Sequence, residues 1–217
     1  DPELRERYPL LRQPATVRRA AIILITSNRG LAGAFNVNLI KEARGLMKRL
    51  REQNVEVELH VAGKKAVSFF RFQRVKMATE RSDITDRPSM DDASGLIDPL
   101  RRRFETGDLD EVYVVYAQFR SALSTPPATM KILPVTPEAA ADEAVSTRQQ
   151  SYILSPSADE ILNRLLPLYV RNAIYRALVE TAAAEHGARR TAMKNATDNA
   201  GDMLDTLNRT YNRARQA

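Results

Sequence analysis

The hydrophobic pattern of this chain has two regimes. From Arg18 to Ser27 it holds a continuous apolar run, Ala-Ala-Ile-Ile-Leu-Ile, as a strand buried on both faces of a parallel sheet requires. Asn28 to Gly33 reads as a turn, and Ala34 to Arg51 follows as an amphipathic helix. Val55 to Ala62 alternates as a second strand, Gly63 to Phe72 is a short helix, and Val75 to Thr79 suits a short third strand. A polar loop over Glu80 to Pro88 leads to a helix over Met90 to Glu105. A strand over Glu111 to Phe119 then follows, rich in β-branched and aromatic residues. Ser121 to Pro137, interrupted by Pro126, Pro127 and Pro134, fits an edge strand, because proline cannot donate to a ladder. Glu138 to Gln149 is polar and reads as a mobile loop, with Ser151 to Leu154 as a short strand beyond it. Strands alternating with helices predict an α/β fold with a parallel sheet.

The last quarter obeys a different period. From Ser157 to Ala217 the pattern is helical, rich in Ala, Leu, Glu and Arg, and Pro156 stands where a first turn tolerates proline. Pro167 lies inside the pattern and predicts a kink or break near Asn163. Met193, Ala196, Ala200, Met203 and Leu207 recur at steps of three and four, with Tyr211 and Ala214 continuing the line. This is an apolar seam of coiled-coil type whose small residues let a neighbouring helix come close. Arg189, Lys194, Asp198, Asp202, Asp205 and Arg209 are expected to face water or rim that contact. Roughly 60 residues at about 1.5 Å each give a rod of about 90 Å, longer than a domain of this mass is wide. Ala34 to Arg51 could cover only about a third of it, so the seam calls for a helix from elsewhere.

The domains expected are therefore a connector over residues 1–17, an α/β domain over 18–155 and the long helix over 156–217. The fold class is a Rossmann-like three-layer α/β domain with a long protruding C-terminal helix, half of an antiparallel coiled coil.

Composition removes several functions. With 43% hydrophobic and 28% charged residues the chain has the make-up of a soluble globular protein, and it contains no apolar run long enough for a membrane span. It has no cysteine, which excludes disulfides, thiolate catalysis and cysteine-ligated zinc. The net charge of +6 is spread over the chain, with short clusters at Arg18-Arg19 and Arg101-Arg102-Arg103, and no nucleic-acid reader motif accompanies it. Nucleic acid is not an expected partner.

Candidate chemistry is sparse. Gly30 and Gly33 form a G-x-x-G after the first strand, without the lysine of a P-loop or the third glycine of a dinucleotide fingerprint. A tight turn with close helix packing explains them, so direct nucleotide binding is not expected. Only two histidines are present: His60 lies in a strand pattern and His186 is read as a rim residue of a helix pair. Asp83, Asp86, Asp91 and Asp92 lack the spacing of a calcium loop. No catalytic residue, metal site or cofactor is assigned. Two rivals stay open: a small α/β enzyme using Asn28 to Gly33, and a coiled-coil adaptor that homodimerises through its long helix.

Three blocks resemble the gamma subunit of F-type ATP synthases. They are Thr26-Ser27-Asn28-Arg29-Gly30-Leu31-Ala32-Gly33-Ala34-Phe35-Asn36, Leu162 to Tyr169, and Ala184 to Ala217 with its Ala192-Met193-Lys194-Asn195-Ala196-Thr197-Asp198-Asn199 core. The resemblance implies a non-catalytic central rotor shaft. Its long helix would pair antiparallel with an N-terminal helix of its own and enter the alpha/beta catalytic ring. The α/β domain would form a foot near the epsilon subunit and the membrane c-ring. It also implies that Arg215 and Gln216 meet the catch loop of a beta subunit, and that Tyr152 lies near the c-ring loops, with simple packing as the alternative for Tyr152. The family's first helix is expected to precede Asp1 and its C-terminal end to follow Ala217. Asn28 and Ala32 stand where the family often has Asp and Cys, Ser155 where Glu often precedes the proline, and Gly187 and Arg190 where it has Ala and Met. Gly187 should weaken its turn by about 1 kcal/mol relative to alanine. The lack of cysteine suits a bacterial form, peripheral on the cytoplasmic face of an inner membrane.

Overall fold

A computed structural model describes residues 7–121, 123–136 and 158–216. Five strands are present: β1 (Arg19–Ile25), β2 (Glu56–Ala62), β3 (Thr79–Arg81), β4 (Glu111–Ala117) and β5 (Pro127–Leu133). They form one sheet in the order β3-β2-β1-β4-β5. The first four are parallel, and β5 closes the edge antiparallel to β4. The continuous apolar run has its explanation in this order. β1 is central, and Ala20, Ile22 and Leu24 face one layer while Ala21, Ile23 and Ile25 face the other.

Helices α1 (Phe35–Glu52) and α2 (Lys64–Phe72) cover the first face. Leu39, Ala43, Leu46 and Leu50 of α1 and Ala66, Val67 and Phe70 of α2 supply that core. Helices α3 (Met90–Glu105) and α4 (Ala158–Gln216) cover the other. There Leu96, Ile97, Leu100 and Phe104 meet Val170, Ile174, Ala177 and Leu178. Helix α3 begins at a capping box in which Ser89 Oγ accepts from the Asp92 amide at 3.1 Å and Asp92 accepts from the Ser89 amide at 2.9 Å. Gly63 ends β2 at φ 113°, and a Cβ there would lie 2.2 Å from the Thr26 carbonyl oxygen, so only glycine lets the ends of β1 and β2 stay this close.

Five sequence expectations change. The stretch over residues 1–17 is more than a connector: Tyr8 and Leu10 are buried, Val135 donates to the Leu10 carbonyl at 2.8 Å, and Arg12 donates to the Phe104 carbonyl at 3.0 Å. Isolated apolar residues among charges carry no period by which burial could be read. The third strand starts at Thr79, because the chain first turns through Arg74 at φ 55°, and Val75 and Met77 spend their apolar side chains on the α1/α2 layer. Glu80 and Arg81 consequently leave the loop for the sheet.

Helix α4 passes Asn163 and Pro167 without a break. The carbonyl that proline leaves unpaired lies at exposed Asn163, where water can satisfy it. Packing of Val170 and Ile174 and a bidentate pair from Arg171 to Asp98, at 2.9 and 2.7 Å, hold the following turns in place. The helix is also a structural layer of the α/β domain over its first half, so residues 18–155 do not close a core without it. Ser151 to Leu154 and the loop over Glu138 to Gln149 lie outside the described residues.

Candidate functional site: the shaft and its collar

Helix α4 is anchored first along β4. The Ala117 amide donates to Thr181 Oγ1 at 3.2 Å, and that hydroxyl donates to the Ala177 carbonyl at 2.7 Å. The Phe119 amide donates to a Glu180 carboxylate oxygen at 3.3 Å. The helix then crosses the carboxyl ends of the strands, so that Ala184 joins the core on the α1/α2 side. The turn from Asn28 to Gly33 wraps it there.

The turn is built by local chemistry. Ser27 donates from its amide to Asn36 Oδ1 at 3.0 Å and from its hydroxyl to the Arg29 carbonyl at 2.6 Å. Asn28 donates to the Ile84 carbonyl at 2.7 Å and accepts from the Lys64 amide at 2.9 Å. Leu31 and Gly33 both adopt positive φ, at 62° and 57°, and the position of a Gly33 Cβ would be 3.9 Å from Ala192 Cβ. Arg189 donates from Nε and Nη2 to the Gly30 carbonyl, each at 3.3 Å, while the same guanidinium pairs with Glu185 one turn earlier. Arg29 pairs with Asp86 at 2.6 Å, and His186 Nε2 stands 3.6 Å from the same carboxylate. A crevice of about 210 Å³ remains between this loop and the helix, lined by Thr26, Ser27, Arg29, Asp86, Thr181 and Glu185 among others.

Past this collar the helix carries nothing. From Met193 to Gln216 every residue is exposed, about 36 Å of rod at the α-helical rise. Met193, Met203 and Leu207 are 46, 66 and 59% exposed, with Leu204 and Tyr211 beside them. Ala196 and Ala200 are exposed too. The five predicted seam residues thus share one uncovered section of helix, and α1, the next longest helix, spends its apolar face on the sheet and covers none of them. Arg215 and Gln216 are exposed at its end. Tyr152 lies outside the described residues.

Arg189, expected to face water or rim a helix pair, instead turns onto the foot, and His186 faces its Asp86. The i,i+4 spacing of Glu185 and Arg189 was a visible signal for their pair. Nothing in the sequence linked Arg189 to Gly30.

Two charged clusters elsewhere brace the layers. Arg103 grips Glu58 through both Nη atoms, at 2.6 and 2.8 Å, and holds that carboxyl below its ordinary range against the opposing effect of burial. Beside it His60 is buried, with Nδ1 2.9 Å from Thr79 Oγ1, and burial pushes its pKa down despite the Glu58 carboxylate 3.6 Å away. Among the described residues no group of three or more His, Asp or Glu has a metal-binding arrangement.

The sequence model of a family described as ATP synthase matches residues 2–217. The chain is 57% identical over 216 residues to the ATP synthase gamma chain of Gemmatimonas aurantiaca, an alignment covering 100% of this chain and 74% of the relative. It belongs to the ATP synthase gamma-chain family. The gamma chain of Rubrobacter xylanophilus is 43% identical over 213 residues, 97% of this chain and 72% of that one. Among solved structures, a chain of the Tetrahymena thermophila mitochondrial ATP synthase central stalk and c-ring has the same fold, with a TM-score of 0.62 at 20% identity over 90% of this chain and 85% of that one. A chain of the Euglena gracilis mitochondrial ATP synthase rotor matches with the same TM-score and identity over 100% and 83%. A gamma chain is a central-stalk rotor subunit of a membrane-associated complex, and catalysis sits in other subunits. No helix among the described residues is long and apolar enough to cross a membrane.

Proposed function

We propose that this gamma chain transmits c-ring rotation to the alpha/beta catalytic ring through the exposed part of α4, with the α/β foot as the gripped end. The observation that carries the reading is the collar: one helix is bonded to the foot through Arg189 and Thr181 and then runs about 36 Å without support. A rod held at one end can deliver torque at the other. The functional boundary then falls near Arg189 rather than at the start of the helix.

The seam of Met193, Ala196, Ala200, Met203 and Leu207 takes a second long helix lying antiparallel. The quarter of the Gemmatimonas relative outside the aligned 74% is the natural source of its counterpart. Arg215 and Gln216 reach a beta-subunit catch loop, where a guanidinium fork suits a bidentate hold on carboxylates. The foot meets the epsilon subunit and the c-ring loops at the cytoplasmic face of a bacterial inner membrane, and the family resemblance assigns Tyr152 to the c-ring contact. An asymmetric helix pair presents a different face to each beta subunit, and the difference in contact energy shifts each site's conformational equilibrium in turn.

The test is affinity capture from detergent-solubilised membranes of the source cells, followed by mass spectrometry. Recovery of epsilon, c-ring or alpha/beta subunits is expected. Recovery of none of them, with a nucleotide retained instead, overturns the reading.

A further inference from the structure

We infer that the groove between α1 and the segment after α2 is a docking site for an acidic amphipathic helix of a partner protein. The groove is about 930 Å³ in volume and lies on the α1 side of the sheet, and no residue of α4 is among those lining it. Lys41, Arg44, Lys48 and Arg51 line the α1 wall and Lys76 stands on the other, against a single carboxylate, Glu52. Glu52 is already 3.8 Å from Lys48, and Arg44 lies 6.0 Å over the Phe69 ring. Among the described residues Lys41, Arg51 and Lys76 have no carboxylate within ion-pairing distance.

The spacing selects the occupant. Positions 41, 44, 48 and 51 form one row along a helix, with neighbours about 5–6 Å apart. A second helix with carboxylates at steps of three and four repeats that spacing and can pair along the whole row. Gly45 lies in the same wall, and a Cβ there would meet nothing within 4 Å. The fold therefore does not require glycine, which is a poor helix former, and its bare backbone leaves room for close approach. Single-stranded nucleic acid is disfavoured, because it binds through exposed stacking rings, whereas Phe70, the aromatic residue lining the groove, is buried and the exposed Phe72 at the end of α2 is not among its lining residues. A planar anionic leaflet would touch only the rims of a concave site. Charge and shape together fit an acidic helix, and the rotor reading is not needed for this inference.

The test is fluorescence anisotropy of the whole chain with a labelled synthetic helical peptide bearing glutamates at steps of three and four with leucines between them. The controls are a sequence-scrambled peptide, phosphatidylglycerol vesicles and oligouridine. The ordered peptide should bind at least about tenfold more tightly than the scrambled one, weakening as salt screens the pairs. Lys41→Glu with Arg51→Glu should reduce its affinity by about tenfold or more. Gly45→Leu leaves the charges in place and fills the groove, so it should block binding without lowering helix stability. Equal binding of ordered and scrambled peptides, an unchanged affinity in both variants, or tighter binding of vesicles or oligouridine overturns the inference.

Discussion

The guanidinium of Arg189 donates twice to the carbonyl of Gly30, a residue 159 positions earlier, and so ties the shaft to the turn that ends β1. Its partner Glu185 is buried, so truncating the arginine leaves a carboxylate and a carbonyl without their donor. Arg189→Ala should cost about 1–3 kcal/mol, and Arg189→Lys should recover only part of that, since an ammonium lacks the fork that serves both acceptors. Urea unfolding with an unchanged m-value is the check. A loss within about 0.5 kcal/mol would show the collar to be incidental.

Asp98 and Arg171 join α3 to α4, and the pH dependence of that link has a definite sign. Burial raises the Asp98 pKa, but hydrogen bonding and charge from Arg171, aided by Arg101, outweigh it and hold the group below its ordinary 3.8. A carboxyl depressed on folding contributes stability above its unfolded pKa, and that stability fades as pH falls through the folded value. Asp98→Asn should therefore lower the Tm at neutral pH, with the gap to the parent narrowing below about pH 4. A constant gap across the range would refute the assignment.

His60 gives a second window. Its folded pKa lies below its ordinary 6.5 chiefly through burial, so the unfolded chain takes up the proton first. Stability held above pH 6.5 should decline as pH drops below that value, while Glu58 at 3.6 Å moderates the fall. His60→Asn should flatten the Tm profile between about pH 7 and 5.5. Calorimetry across that interval decides it, and parallel profiles would sink the idea.

Hydrogen exchange should divide α4 at the collar. Gly187 is buried, and it lies between Thr181 and Arg189, which both bond to the foot. Its turn should therefore be more protected than residues 193–216 in the free chain, against the expectation from propensity alone. Most helical stability in proteins comes from tertiary packing, which residues 193–216, all exposed, lack. Slower exchange in the distal rod than at Gly187 would contradict this.

Substitution in the seam should separate stability from assembly. Leu207→Asp changes a residue already 59% exposed, so unfolding of the free chain should move by no more than about 0.5 kcal/mol. Assembly with a seam partner should weaken strongly, readable as loss of the chain from the purified synthase. Unimpaired assembly would remove Leu207 from the interface.

Local and periodic features were legible along the chain alone. The run around Ile22 and Ile23 told of a central strand, because only burial on both faces tolerates unbroken hydrophobicity. Residues 90–105 read as a helix, and the steps from Met193 to Leu207 announced a seam before any partner was in view. The exposed rod was legible for the same reason, since its signal lies entirely within one helix.

Contacts between positions far apart in the chain were not legible in this way. Tyr8 and Leu10 look like stray apolar residues until α3 and the end of β5 close over them. Pro167 reads as a kink or break, and the helix continues through it because Arg171 finds Asp98 and the flanking apolar turns seat on α3 and the sheet. Arg189 reads as a solvated rim charge until the Gly30 carbonyl is placed before it. The physical reason is common to all three. Side-chain period and backbone propensity act over a few residues, whereas these groups owe their energies to partners that chain folding alone brings within reach.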